Sequence, residues 1–247
     1  MTVKVTFGMA VRTLVSRFLF IMLCIILIIP GFFLFLLPER LRFNGPLFTL
    51  LHLFYLGTLK VTLLPITFVG KENLPAGPAV YAANHLSSLD IPLVGVLLKS
   101  RHHIWTAKEE VKSWRWIGTV IDRVAIMIDM TNPVRALRAL SKLITIVQTT
   151  DNSVIIFPEG TRVLDGTLHE FYPGFAVLAK KSGRPVVPVM IIGVDKAYPP
   201  DTFWVVNYPI TVVIGKPFVC GVDESEEDFK NRVYQWFVAQ RMAYKVS

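Results

Sequence analysis

Two short stretches carry the residue types that proton transfer and anion binding need. The first is Asn84-His85-Leu86-Ser87-Ser88-Leu89-Asp90, directly after the apolar run Ala79-Val80-Tyr81-Ala82-Ala83. Imidazole titrates nearest neutrality of all side chains, so His85 is a candidate general base. A carboxylate one turn into a following helix reaches back toward a histidine in the preceding loop. If Asp90 accepts the Nδ1 proton of His85, Nε2 is left free to take a proton. The second stretch, Phe157-Pro158-Glu159-Gly160-Thr161-Arg162, follows the apolar Val154-Ile155-Ile156 and places Glu159 and Arg162 on a turn at a strand's end. Two further cations stand beside apolar runs: Lys108 in Thr106-Ala107-Lys108-Glu109, and Arg123 in Gly118-Thr119-Val120-Ile121-Asp122-Arg123. Taken singly, each has a bland reading. The histidine is a loop residue with a capping carboxylate, Glu159 and Arg162 are a surface ion pair, and Lys108 and Arg123 are solvated charges.

These residues must be positioned by something, and the pattern from Ile66 onward supplies it. Short apolar runs bounded by Gly, Pro, Asn or Asp predict strands at Ile66–Val69, Ala79–Ala83, Ile104–Ala107, Val124–Ile128, Val154–Phe157, Val186–Ile192 and Thr211–Ile214. Helices are expected between them. Ser87 or Ser88 is a good N-cap for one over Leu89 to Lys99. Asn132-Pro133 opens another to about Gln148, and Pro173 starts one that Gly183 ends. Asp223 to Tyr244 begins acidic and ends basic, in keeping with the helix dipole. Such alternation predicts an α/β fold, a mostly parallel or mixed sheet covered by helices. Ligands in such sheets bind outside the strands' carboxyl ends, where His85 falls.

The N-terminal region has a different character. Phe18 to Leu37 is twenty residues without a charge, interrupted by Pro30-Gly31, and Leu47 to Ile66 is a second apolar stretch carrying Thr49, His52, Thr58, Lys60 and Thr62. Arg12 and Arg17 before the first stretch and Arg40 and Arg42 after it give little inside–outside asymmetry. A helical hairpin sunk into one leaflet suits this composition better than two spans. Residues 1–65 are thus expected to be a membrane-anchoring helical pair and residues 66–247 the α/β domain. No small-residue cleavage site follows the apolar run, which argues against a signal peptide. The mean hydropathy of +0.51 agrees with membrane attachment. A net charge of +8 calls for an anionic partner: a membrane surface, a phosphorylated substrate, an acidic carrier protein or nucleic acid. Nucleic acid is least supported, because no recognition motif is present. Cys24 and Cys220 make neither a disulfide framework nor a metal site, and reduced thiols facing the cytoplasm are expected.

Together, Asn84-His85…Asp90, Gly118…Ile121-Asp122-Arg123, Phe157-Pro158-Glu159-Gly160-Thr161-Arg162 and Val187-Pro188-Val189 resemble, in order, the motifs of the glycerolipid acyltransferases typified by lysophosphatidic acid acyltransferase. The resemblance runs from about Ile66 to Ile214. It implies transfer of a fatty acyl group from acyl-carrier protein or acyl-coenzyme A to the sn-2 hydroxyl of lysophosphatidic acid, with no cofactor beyond the thioester co-substrate and no metal. It makes His85 and Asp90 the catalytic pair. Arg162, with Lys108 and Arg123 assisting, is assigned to the acceptor's phosphate. Glu159 helps hold the glycerol part or the loop, and Gly160 and Thr161 shape the turn. Val187, Pro188 and Val189 belong to an acyl-donor or acyl-chain region, with plain core packing as the equal alternative. A thioester is already activated, so no serine nucleophile is needed and Ser87 and Ser88 are expected to cap. The developing oxyanion needs donors, for which backbone N–H groups near Ser87 are candidates. His52, His102, His103 and His169 match no motif. The expected partners are membrane phospholipids, lysophosphatidic acid and the thioester carrier, with the hairpin inserted and the catalytic domain facing the cytoplasm. Alternatives are glycerol 3-phosphate or another lysophospholipid as acceptor, a thioester hydrolase, and a non-catalytic lipid-binding protein.

Overall fold

A computed structural model describes residues 5–36, 45–109, 125–199 and 202–244. In chain order its elements are α1 (Phe7–Leu36), α2 (Gly45–Val61), β1 (Ile66–Val69), β2 (Val80–Ala83), α3 (Asp90–Gly95), β3 (His103–Lys108), β4 (Ala125–Ile128), α4 (Pro133–Thr149), β5 (Ser153–Ile156), α5 (Gly174–Ser182), β6 (Val186–Ile192), α6 (Val194–Ala197), β7 (Ile210–Ile214) and α7 (Glu226–Ala243). The seven strands lie in the order β1-β7-β6-β2-β5-β3-β4, and helices flank them, so the expected α/β class holds. The chain divides into two compact units. One comprises Met1–Val69, Leu86–Arg101 and Ile191–Val212; the other comprises Gly70–His85, His102–Met190 and Val213–Ser247.

In the second unit, β2 runs parallel to both β5 and β6, and β3 runs parallel to β5 and β4. Strands covered on both faces read as near-continuous apolar runs rather than alternating, and all four residues of β2 and of β5 are buried, with Ser153 the one polar residue among them. Asn132 caps α4 by accepting the N–H groups of Val134 and Arg135, with Pro133 at the first helical position. Gly183 ends α5 in the left-handed conformation. Ser225 caps α7 by accepting the Asp228 N–H, with Glu226, Glu227 and Asp228 in the first turn. Phe171 sits at the centre of this unit's aromatic core, edge-on to Phe175, Tyr234 and Phe237. Gly70 has φ 79°, and a Cβ there would lie 2.2 Å from the Ile214 carbonyl oxygen, so only glycine fits.

In the first unit, α1 begins at Phe7 and runs unbroken through Pro30 to Leu36. The interruption expected at Pro30-Gly31 does not occur. Proline removes one backbone bond from a long ladder, whereas opening the helix among apolar side chains would leave several groups unpaired. The stretch Phe7–Phe33 is long and apolar enough to cross a membrane. It packs on α2 where Gly57 leaves room for Leu23; a Cβ on Gly57 would lie 2.7 Å from the Leu23 side chain. Phe20 and Phe54 meet with centroids 6.3 Å apart. In turn α2 packs on α3, with the Tyr55 ring filling the space over Gly95. The basic end of α1 is tied down as well. Thr13 Oγ1 accepts the Val205 N–H at 3.0 Å. The Arg17 guanidinium lies over the Tyr198 and Phe203 rings and donates to the Tyr198 hydroxyl and the Phe203 carbonyl.

Candidate active site

The register Ala82↔Ile156 sets the ends of β2 and β5 side by side. Both strands are parallel, so the loops that leave them, carrying His85 and Phe157–Arg162, emerge at one edge of the sheet. Their chemistry meets there. The imidazole of His85 stacks on the Phe157 ring with centroids 4.0 Å apart and planes 10° from parallel. Trp105 of β3 backs Phe157 at 5.9 Å. The carboxylate of Glu159 is buried, 3 % exposed, and accepts the His85 backbone N–H through Oε2 at 2.7 Å. Its Oε1 accepts the His169 N–H at 3.3 Å. The Val163 N–H donates to the His85 carbonyl at 2.8 Å, so the main chain of His85 is held at both its N–H and its C=O.

Asp90 is fully buried at the first position of α3. Its Oδ2 accepts the N–H groups of Leu86 at 2.6 Å and Ser87 at 2.7 Å, the two amides that follow His85. Three consecutive backbone N–H groups, from 85 to 87, are therefore bound by two carboxylates. This removes Leu86 and Ser87 as oxyanion donors, since their hydrogens already point at Asp90. Neither serine caps the helix as expected, because its N-cap is Leu89 with no side-chain capping bond; Ser87 Oγ instead accepts the Leu89 N–H at 3.4 Å and donates to the Tyr198 carbonyl at 3.0 Å. Ser88 is exposed. The α-helix it precedes is shorter than the Leu89–Lys99 span expected, giving way to a 3-10 turn at Val96–Leu98.

Gly160 closes the turn after β5 with φ 68°, its N–H donating to the Phe157 carbonyl at 3.0 Å. A Cβ at Gly160 would press on the Tyr172 ring at 2.9 Å. Thr161 and Arg162 are exposed beyond it. Lys108 is the exposed last residue of β3, which lies beside β5 and parallel to it, so Lys108 and Arg162 emerge at the same edge. Arg123 lies outside the described residues, as do Gly118 and Asp122. Val187, Pro188 and Val189 are buried in β6 opposite Tyr81, Ala82 and Ala83, the residues that deliver the histidine loop. Pro188 has no N–H for a ladder, and its carbonyl accepts the Gly215 N–H at 2.9 Å.

His103 is 1 % exposed and packs edge-on to Trp105 in the core. His169, whose ring is half exposed, lies 3.7 Å from Asp165, a carboxyl held below its ordinary range by hydrogen bonds from Thr167. Among the described residues no group of three or more His, Cys, Asp or Glu side chains converges. The ring of Phe157 and, behind it, that of Trp105 support His85 in a way no sequence motif assigns to them. The signal for Phe157 was available, in an aromatic residue that ends an apolar strand directly before the Pro-Glu-Gly turn.

The sequence profile of the Acyltransferase family matches residues 65–192, just over half of the chain. The chain belongs to the acyltransferase family. A 1-acyl-sn-glycerol-3-phosphate acyltransferase of Limnanthes douglasii is 35% identical over 150 residues, covering 60% of this chain and 53% of that protein. A chloroplastic enzyme of the same designation from Arabidopsis thaliana is 33% identical over 156 residues, covering 62% and 43%. This acyltransferase-family chain thus spans about half the length of the curated relatives it matches. The crystal structure of the 1-acyl-sn-glycerophosphate (LPA) acyltransferase of Thermotoga maritima superposes with a TM-score of 0.77 over 96% of this chain and 99% of that one. Sequence identity there is 22%, so that likeness establishes the fold.

Proposed function

We propose that the protein transfers a fatty acyl group from an acyl thioester, carried on coenzyme A or acyl carrier protein, to the sn-2 hydroxyl of lysophosphatidic acid, giving phosphatidic acid. The observation that carries this reading is the double brace on the histidine loop: Glu159 of the Phe-Pro-Glu-Gly-Thr-Arg turn on His85, and Asp90 on the two amides that follow. A ring held by stacking and by its own main chain is suited to act as a base of fixed orientation. In the reaction, His85 Nε2 removes the hydroxyl proton as the oxygen attacks the thioester carbonyl carbon. The C–O bond forms, the C–S bond breaks, and the imidazolium returns the proton to the departing thiolate. Asp90 orients the imidazole and stabilises its charged form. Arg162, Lys108 and Arg123 bind the phosphate, whose two charges suit a guanidinium fork. Glu159 positions, and Val187–Val189 pack beneath the acyl group.

The names of the relatives, which describe those proteins, support the choice of acceptor. In this reading α1 and α2 form a hairpin in one leaflet, the domain faces the cytoplasm, and the lysolipid keeps its tail in hydrocarbon while its head reaches the site. Acceptors with and without the phosphate, assayed with a labelled acyl donor, test the proposal. A marked loss without phosphate, matched by Arg162→Ala, is expected. Equal use of a phosphate-free acceptor, or an Arg162→Ala enzyme as selective as wild type, refutes it.

A further inference from the structure

We infer that the exposed face of α4 is a docking surface for an acidic acyl carrier protein, which makes the carrier-bound thioester the donor; this rests on the acyl-transfer reading above. The face comprises Val134, Leu137, Arg138, Ser141, Lys142 and Thr145, all exposed and spaced at three and four residues. The helix contains no acidic residue from Pro133 to Thr149. Arg135, beside this face, is engaged by Asp129 at 3.4 Å and Glu109 at 3.9 Å. Arg138 and Lys142 make no ion pair among the described residues. Like charges four apart on a helix repel, so this stripe weakens the helix unless an outside anion offsets it. On the N-terminal side of these cations stand two bare apolar side chains, Leu137 at 64% exposure and Val134 at 58%. A small apolar anchor with a charged rim is the composition of a protein–protein contact.

A lipid surface fits this face less well. Interfacial helices bury a broad apolar face in the bilayer, and the broad apolar face of α4 is already occupied. Leu143 and Val147 are fully buried where α4 packs on β4 and α5. Topology places the face usefully for a donor. β4 runs parallel to β3, so α4 begins at the carboxyl edge, the edge from which the His85 loop emerges. From β2 to β4 is three strand spacings, about 14 Å at about 4.8 Å each. A thioester at the end of a long flexible arm spans that gap, whereas a rigidly displayed one does not.

The test uses the full chain in lipid nanodiscs, with palmitoyl-acyl carrier protein and palmitoyl-coenzyme A as donors, and direct binding of the purified carrier protein by calorimetry. In the double variant Arg138→Glu, Lys142→Glu, kcat/KM for the carrier-bound donor is expected to fall about tenfold or more, with coenzyme A turnover within about twofold. The neutral pair Arg138→Gln, Lys142→Gln should fall between, and raised salt should weaken the wild type toward it. Carrier binding by wild type that the reversed charges abolish supports the docking surface even if neither donor is turned over, in which case the acyl-transfer reading alone fails. No carrier binding by wild type, an equal fall with both donors, no change with either, or loss of nanodisc attachment with unchanged donor kinetics each overturns the inference.

Discussion

Replacing Glu159 gives the sharpest test of how the histidine loop is held. Its carboxylate makes one short charge-assisted bond, 2.7 Å to the His85 N–H, and one longer bond, 3.3 Å to the His169 N–H. The first is worth roughly 1.5–3 kcal/mol and the second roughly 0.5–1 kcal/mol on general experience with such bonds. Glu159→Ala removes both and leaves the His85 amide without its acceptor, for a loss of about 3 kcal/mol. In a chain of this size that is a fall in Tm of roughly 6–12 °C. Glu159→Gln keeps the shape and one acceptor oxygen but turns an NH2 group toward one of the two amides, so it should fall about half as far. Activity should fall further than stability. A catalytic group displaced by about 1 Å loses about a hundredfold in rate, so Glu159→Ala should lower kcat by about that factor while the protein stays folded at assay temperature. Thermal unfolding of the detergent-solubilised chain, run beside initial rates at saturating donor and acceptor, measures both. A Glu159→Ala protein with wild-type Tm and a kcat within threefold of wild type refutes the reasoning, because the imidazole would then be held without this brace.

Asp90→Ala strips acceptors from two buried amides and should cost about 3 kcal/mol, whereas His85→Ala, at a half-buried ring, should abolish turnover with a Tm within a few degrees of wild type; comparable Tm losses in the two would show that Asp90 has no separate structural task. Ile25 and Ile29 of α1 are 51% and 60% exposed. Changing both to Asp should cost roughly 5–7 kcal/mol of transfer into hydrocarbon, so flotation with vesicles should be lost while circular dichroism is unchanged; undiminished flotation removes α1 from the membrane. The Glu224 carboxyl is held below its ordinary range by a two-pronged bond from Arg232, at 2.9 and 2.7 Å. A carboxyl whose folded-state pKa is depressed stabilises the fold above its unfolded-state pKa, and that contribution fades as pH falls through the folded-state value. Urea midpoints of wild type and Glu224→Gln should therefore differ at pH 7 and converge below about pH 4; a gap that persists in acid contradicts the assignment.

Local chemistry made the scaffold legible. Most strands are apolar runs too short for a helix, closed by Gly, Pro or a polar pair, and Asn132-Pro133 marks the start of α4. Failures came where a local rule met a non-local one. Pro30 reads as a break by its own chemistry, yet the apolar surroundings of α1 favour an intact ladder. The Asp90 carboxylate has a task that spacing alone does not show: its Oδ2 binds two main-chain amides, those of Leu86 and Ser87. The stack of His85 on Phe157 was invisible for another reason. It depends on the register Ala82↔Ile156, which joins residues more than seventy positions apart, and no periodicity reports that pairing.

The spacing from His85 to Asp90 thus answers two physical demands. A carboxylate at the first position of a helix can reach back three and four residues to amides of the loop that leads into that helix. Here those amides belong to Leu86 and Ser87, so the carboxylate fixes the direction in which the chain leaves His85. Glu159 fixes the direction in which the chain enters, through the His85 N–H. With entry, exit and ring face all set, the imidazole is held in one orientation. Burying two carboxylates is expensive, and the amide donors offset that expense. An Asn at 90 or a Gln at 159 keeps the shape but weakens the brace, so an acid at each position stabilises the loop.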